Sequence, residues 1–518
     1  MTLRHRLHRV IYVPLDDRPV NASRPHLLAQ MVDYELITPP RTLLGSYHTP
    51  GRPDELAEWL TTQLGAPHSA DCLILSLDML VYGGLVASRT PQVSADYAAK
   101  RLDILARLTK LAPGTPIYAS SIILRATTNN NTGDAGQMPG ALLHRYQQIR
   151  ERNHRINLRA IDELVAGTID FLALPQDDAG PEGLHKAEQA QLRERIDELG
   201  VSDRAMIYPG ADEIGMTLFA RFVHKHMEKQ PAVKIQYIDP EASRRIAPYE
   251  DSSIEQTIAA QVAVVGGQMT EDVEQADLVM LVNPPLEADD VQRPEQIRQA
   301  IAEIKQMAGR RGVAICDVAT ANGAHDDLVT ALLESGLDLA QLLAFAGWNT
   351  AANSVGAALA HSTLRLIARQ DKGAFDLVHL FTSFAPMRYL QLLNSLINTE
   401  RAHVQLLFLS LVDDWLYQTR LRPEIKRELH EMVEDAGSDL AELYPHIEQR
   451  LSDRLAEAAA DLWMSHFWGK KCVQVGADES PNNIVLAELA ETHVRLPWQR
   501  LFEVDLRFDI NLELVAEK

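Results

Sequence analysis

From residue 10 onward, short runs of consecutive apolar residues alternate with longer stretches whose apolar residues recur every third or fourth position. VIYVPL (10–15), YELITPP (34–40), CLILSLDML (72–80), PIYASSIIL (116–124), FLALP (171–175) and MIYPG (206–210) have strand length and are apolar almost throughout. A strand buried on both faces has no reason to alternate, so these runs predict a parallel sheet covered by helices. The intervening segments 95–111 and 142–167 carry the helical period and are long enough to serve as crossovers. After the polar stretch HKHMEKQ a second series follows: VKIQYID (233–239), ADLVMLVNPP (276–285), GVAICDVA (312–319) and LLAFAGW (342–348). Past residue 354 helical periodicity dominates until 494–514, where apolar and polar residues alternate and predict one or two terminal strands. The expected architecture is therefore α/β. It comprises an N-terminal parallel α/β unit, barrel-like or open, over 1–230, a second α/β unit over 231–353, and a mainly helical C-terminal region over 354–518 with terminal strands.

Composition narrows the function classes. With 518 residues, 46% apolar and 23% charged, the chain has globular composition and length for more than one domain. Its 50 basic and 71 acidic residues leave a formal charge of −21, and the basic residues interleave with acids instead of forming a face. Phosphate backbones need clustered Lys and Arg, so nucleic acid is not an expected partner. Cys72, Cys316 and Cys472 are widely separated and read as isolated thiols, the first two buried, with no disulfide framework. The opening MTLRHRLHRVIYVPLDD has no apolar stretch of signal-peptide length, and no later run could span a membrane, so the expectation is a cytoplasmic protein without membrane association.

In parallel α/β architectures ligands sit at the carboxyl ends of the strands, which turns sequence position into site position. The segments after the expected strands are LDDRPVN (15–21), LDMLVYGG (77–84), LRATTNNN (124–131), QDDAGPEGLH (176–185) and GADEIG (210–215). Asp177 and Asp178 are adjacent acids directly after an apolar run. Such a pair can divide proton affinity, one staying ionised while the other carries a proton, although a Gly/Pro-rich turn also favours Asp for backbone capping. Asp212 and Glu213 open a helix, where acids are favoured electrostatically whether or not they act. Taken together, four carboxylates on neighbouring strand ends repel one another unless a substrate, a proton or a metal relieves them. Asp177, Asp178, Asp212 and Glu213 are therefore the candidate catalytic residues.

Candidate substrate-binding residues lie around them. Asp16, Asp17, Arg18 and Asn21 follow the first strand, and Arg18 can pair internally with an Asp or fork onto a substrate oxygen. Arg125, Asn129 and Asn130 belong to an amide- and hydroxyl-rich loop suited to a polyhydroxylated ligand. Trp348, Asn349 and Asn353, in FAGWNTAANSVGAALAHS, could form a stacking face beside amides or a tightly packed core corner. Asp317, Asn322 and His325 offer metal-ligand types without a recognised metal spacing, and no metal residue is assigned. GxxxxGK[ST], HExxH, GxSxG, CxxC and GxGxxG are all absent, which removes the usual support for phosphate-loop, zincin, α/β-hydrolase, thiol-redox and dinucleotide chemistry.

The segments VPLDDRPVN, QDDAGPEG, GADEIG, AGWNTAANSVGAALAHS and LPWQRLFEVD resemble the signature segments of the bacterial family catalogued as domain of unknown function 4127, and the likeness spans nearly the whole chain. That resemblance implies no reaction. A looser likeness, at the level of dipeptides, is to barrel hexosaminidases acting on N-acetylated sugars. There one carboxylate of a pair orients the acetamido group and the other protonates the leaving oxygen; Asp177 and Asp178 are similar to the first kind of pair, Asp212 and Glu213 to the second. Three readings follow. The first is a glycoside hydrolase without a cofactor, acting on a small carbohydrate. The second is a hydrolase or lyase using Asp16, Asp178, Asp212 and Asp317 as ligands for Mg²⁺ or Mn²⁺. The third is a non-catalytic carbohydrate-binding protein. Oligomeric state is left open.

Overall fold

A computed structural model describes residues 8–65, 70–125, 140–288, 290–308, 310–373, 386–436, 440–475 and 482–516. The protein is an α/β protein whose chain divides into two compact units. The first is Met1–His26, Tyr34–Gln230 and Ile246–Gly266; the second is Leu27–Asp33, Pro231–Arg245 and Gly267–Lys518. Residues 354–518 thus fall in the same compact unit as the second series of strands.

The first unit holds a six-stranded sheet made from β1 (His8–Val13), β2 (Tyr34–Ile37), β3 (Cys72–Ser76), β4 (Ile117–Ser120), β5 (Phe171–Gln176) and β6 (Ala205–Pro209), in the order β2-β1-β3-β4-β5-β6. All its pairings are parallel. β3, β4 and β5 are buried at every position, as unalternating apolar runs require. Strand order reverses between β1 and β3, and such a reversal opens a crevice at the strands' carboxyl ends. The apolar run 72–80 is longer than its strand because Ser76 interrupts it: its hydroxyl accepts a hydrogen bond from Met79 N at 3.2 Å, caps the helix Leu77–Tyr82, and brings Asp78 into the first turn.

The second unit holds a five-stranded sheet of β7 (Ala232–Tyr237), β8 (Gln268–Met269), β9 (Leu278–Asn283), β10 (Gly312–Asp317) and β11 (Ala344–Ala346), in the order β11-β10-β9-β7-β8 and again parallel throughout. Long helices follow, among them Ala351–Gly373, Pro386–Leu411 and Leu440–His466. The chain then forms a three-stranded antiparallel sheet, β12 (Lys471–Val475), β13 (Asn482–Arg495) and β14 (Asp505–Ala516). The expected strand within 494–514 is β14, with the last residues of β13, while β12 and most of β13 precede that range. β13 contains LAELAE, good helix formers, and its strand form comes from pairing along nearly its whole length with β14, with Ile484 and Leu486 buried in the core. No helix among the described residues is long and apolar enough to cross a membrane.

Candidate functional site

Charged groups from the ends of β1, β3, β4, β5 and β6 meet within the first unit. Immediately past β1, the chain turns tightly because Asp16 caps it from inside: its carboxylate accepts Arg18 N at 3.1 Å, Arg18 Nε at 2.9 Å and Asn21 Nδ2 at 2.9 Å. Arg18 then reaches the end of β6, where Nη1 donates to Asp212 Oδ2 at 3.1 Å and Nη2 makes a second contact with Oδ1. This arginine is 5% exposed and lies between two buried aspartates, so it ties the first strand end to the last. Asp17 takes another part: its carbonyl accepts from Arg41 Nη2 at 2.9 Å.

At the end of β5, Arg89 Nη2 donates to Asp177 Oδ2 at 2.6 Å, and Asp178 N donates to Asp177 Oδ1 at 2.9 Å. Asp178 forms its own ion pair with Arg125, which follows β4. The Arg125 carbonyl is held in turn by Arg150 Nη1 at 2.6 Å and by the Tyr146 hydroxyl. Asn129 and Asn130 lie outside the described residues. The repulsion expected among the carboxylates is thus relieved by three arginines, Arg18, Arg89 and Arg125. Arg89 had no sequence signal; it stands one residue past the short helix Leu85–Ser88, and only the fold brings it to Asp177.

These partners divide the pair electrostatically. Burial opposes ionisation of Asp177, but Arg89 and Arg125 outweigh it and hold its carboxyl below the usual carboxylate range. Burial and the neighbouring Asp177 charge push Asp178 up to about 6, against the pull of Arg125 and Arg89. Asp212 is raised by burial, which with the charges of Asp16 and Asp177 exceeds the opposing effect of Arg18. Asp78 is a further buried acid that sequence reading did not single out. Its Oδ2 accepts Ile122 N at 2.9 Å, and burial, reinforced by Asp177, carries it to about 7.

Glu213 turns elsewhere. Its Oε1 accepts Gln261 Nε2 at 2.7 Å and its Oε2 accepts Ala211 N at 3.0 Å, and burial raises it to about 7. Gly210, at φ +136°, leaves room for that carboxyl: a Cβ there would stand 2.1 Å from Glu213 Oε1. Glu213 therefore braces the loop that presents Asp212.

The remaining candidates belong to the second unit. Trp348 and Asn353 are buried, and Asn349 takes a left-handed φ of 59° with its carbonyl accepting Asn322 N at 2.7 Å. Gly347 packs so closely that a Cβ would lie 2.7 Å from that of Ala324, which accounts for the small residues of this segment. Asp317 accepts from Asn283 Nδ2 at 3.0 Å, Ala319 N at 3.2 Å and His325 N at 2.7 Å. A divalent-metal set drawn from Asp16, Asp178, Asp212 and Asp317 fits poorly: the first three are committed to arginines, and the fourth is bonded to three donors of its own.

No curated protein matches this chain. Among solved structures, a Haloferax volcanii malate synthase magnesium/glyoxylate complex is 12% identical, with 78% of this chain and 99% of that chain covered at a TM-score of 0.22. GanP, a glucose-galactose binding protein from Geobacillus stearothermophilus, is 10% identical, with 70% and 92% covered at a TM-score of 0.16. At such TM-scores these likenesses carry no argument about fold or activity. The family described as "Protein of unknown function (DUF4127)" matches residues 10–135 and 134–507, and the chain belongs to that family.

Proposed function

We propose that the first unit carries the acid–base site of a glycoside hydrolase, acting without a cofactor on a small carbohydrate of the N-acetylated class. One observation carries the reading: Asp177 and Asp178 stand side by side at a strand end, the first held as an anion by Arg89 and the second retaining its proton to about pH 6. Asp178 gives its proton to the glycosidic oxygen as the bond to the anomeric carbon breaks. The Asp177 carboxylate lies against the positive charge that develops on the ring or orients the acetamido group. Water supplies the hydroxyl that completes hydrolysis, and its proton restores Asp178. The acid form of Asp178 is the active one, so turnover falls as pH rises through about 6.

The test is a screen of chromogenic glycosides, N-acetylhexosaminides included, followed by comparison of two variants. Asp178→Asn keeps size and removes the proton, so kcat drops by roughly 10² to 10⁴-fold, and substrates with better leaving groups recover much of the loss. Asp177→Asn stays impaired with every leaving group. A folded Asp178→Asn protein with near-native turnover, or a wild-type protein inert toward every glycoside offered, would overturn the reading.

A further inference from the structure

The segment Ile246–Gly266 belongs to the first unit although its flanking residues belong to the second, and no motif within it drew attention. Its helix Ile254–Val264 is well specified locally. Ser253 and Gln256 form a reciprocal capping box, and Ile254, Ile258 and Val262, spaced by four, are all buried. From this segment two separate sets of hydrogen bonds reach the acidic loops.

The first set runs to the Asp177–Asp178 loop. Tyr249 O accepts Ala179 N at 2.9 Å, just past the acidic pair. Asp251 Oδ2 accepts Gln189 Nε2 at 2.8 Å, the same amide donates to Gln176 Oε1 at 3.0 Å, and Gln176 Nε2 donates to Asp177 O at 2.7 Å. Lys186 Nζ, at 2.9 Å from Asp251 Oδ2, anchors the start of that relay. The second set runs to the Asp212 loop: Gln261 Nε2 donates to Pro209 O at 3.1 Å and to Glu213 Oε1 at 2.7 Å, and Glu213 in turn holds Ala211 N. A cavity of about 250 Å³, lined by Gln189, Tyr208, Asp251, Gln256 and Ala260 among others, lies between the segment and β6. The apolar face of the helix holds it against the unit, and beside the cavity the polar links are what join it to the two acidic loops.

We propose that Ile246–Gly266 is the positioning element of the acidic site, with Gln189 transmitting from Asp251 to the Asp177–Asp178 loop and Gln261 holding the Asp212 loop through Glu213. The inference rests on reading Asp177, Asp178 and Asp212 as the reacting carboxyls, and its test needs no substrate. Carboxyl ¹³C resonances of Asp-labelled full-length protein are followed through a pH titration in the wild type and three variants. Gln189→Met keeps volume and removes the relaying amide, Gln261→Met does the same for the second link, and Ser253→Ala weakens the helix cap while leaving both links in place.

Gln189→Met moves the Asp178 midpoint by about half a unit or more, roughly threefold in proton affinity, and shifts the Asp177 resonance. Gln261→Met moves Asp212, and Ser253→Ala leaves all three near their wild-type positions. If Gln261→Met does not fold, Gln261→Asn, which keeps the amide but shortens its reach, takes its place with the same expectation. Folded glutamine variants whose three carboxyls titrate as in the wild type overturn the proposal, as does a Ser253→Ala protein that perturbs them equally. A chain found inert toward glycosides leaves these outcomes unchanged, so failure of the hydrolase reading and failure of this one are separately visible.

Discussion

Replacing Arg89 with Met tests the electrostatic division of the Asp177–Asp178 pair most directly. The substitution keeps a long unbranched side chain and removes the guanidinium that stands 2.6 Å from Asp177 Oδ2. Two unit charges with centres about 4 Å apart attract by about 4 kcal/mol at an effective dielectric of about 20. That figure must be reduced, because the Arg89 side chain is 23% exposed and Asp177 keeps both the Asp178 amide and the field of Arg125. A loss of about 2 kcal/mol at neutral pH remains. The pH dependence has a definite sign. Asp177 is depressed in the native protein, so in the wild type its contribution is present above the unfolded carboxylate value of about 4 and is lost as pH falls through the folded value. In the variant the buried carboxylate gains relief by taking up a proton, so the stability gap between the two proteins narrows as the solution is acidified. Urea denaturation at pH 7 and at pH 5 measures it, and Arg89→Lys, which retains the charge, should recover most of the loss. A gap under about 0.5 kcal/mol at pH 7, within the usual scatter of surface substitutions, or one equal at both pH values, would refute the assignment of Arg89 as the group that keeps Asp177 ionised.

Two further predictions concern the helices of the second unit. Arg365 and Glu400 form a bidentate pair at 2.7 and 2.6 Å, both almost wholly buried, so Glu400→Gln strands a guanidinium and costs about 3 to 5 kcal/mol in denaturation. The double variant Arg365→Met, Glu400→Leu recovers most of that loss, and equal instability of single and double variants would count against the reasoning. His361 and His403 share a hydrogen bond at 2.9 Å in the interior, and burial, with Arg365 adding its charge, lowers His361 to about 3 and His403 well below its ordinary value. Groups depressed in this way contribute full stability above about pH 6.5 and lose it as pH falls toward the folded value. Each imidazole therefore adds a slope of about 1.4 kcal/mol per pH unit below that point. Unfolding free energies at pH 7, 6 and 5 should show His403→Leu with the shallower slope, and parallel slopes would rule out the pair as the source of acid sensitivity.

Most strands of both parallel sheets were legible because the central ones are buried on both faces, which leaves unbroken apolar runs such as FLALP and LVMLVN that no amphipathic helix would carry; β8, two exposed residues, was not. β13 was not, since LAELAE favours a helix locally and only pairing with β14 makes it a strand; a non-local partner leaves no trace in a window of a dozen residues. The same distinction governs the site. Asp16, Arg18, Asp177, Asp178 and Asp212 sit directly at strand ends and could be placed from the strand pattern alone. Asp78 lay in the strand-end segment LDMLVYGG without being singled out there, whereas Arg89 and Gln261 could not be placed, because each acts on a loop distant in sequence and stands in a segment of ordinary composition. Glu213 shows the limit from the other direction. Sequence proximity to Asp212 suggested a shared role, yet consecutive residues entering a helix project in different directions, and the fold gives one to Arg18 and the other to Gln261. A dipeptide of acids thus locates a candidate site, but the work of each member is decided by the cation or amide that the rest of the chain brings to it. The arginines decide that division as much as the acids do: Arg89 and Arg125 hold Asp177 ionised against its burial, while on Asp178, which pairs with Arg125, burial and the Asp177 charge prevail over both.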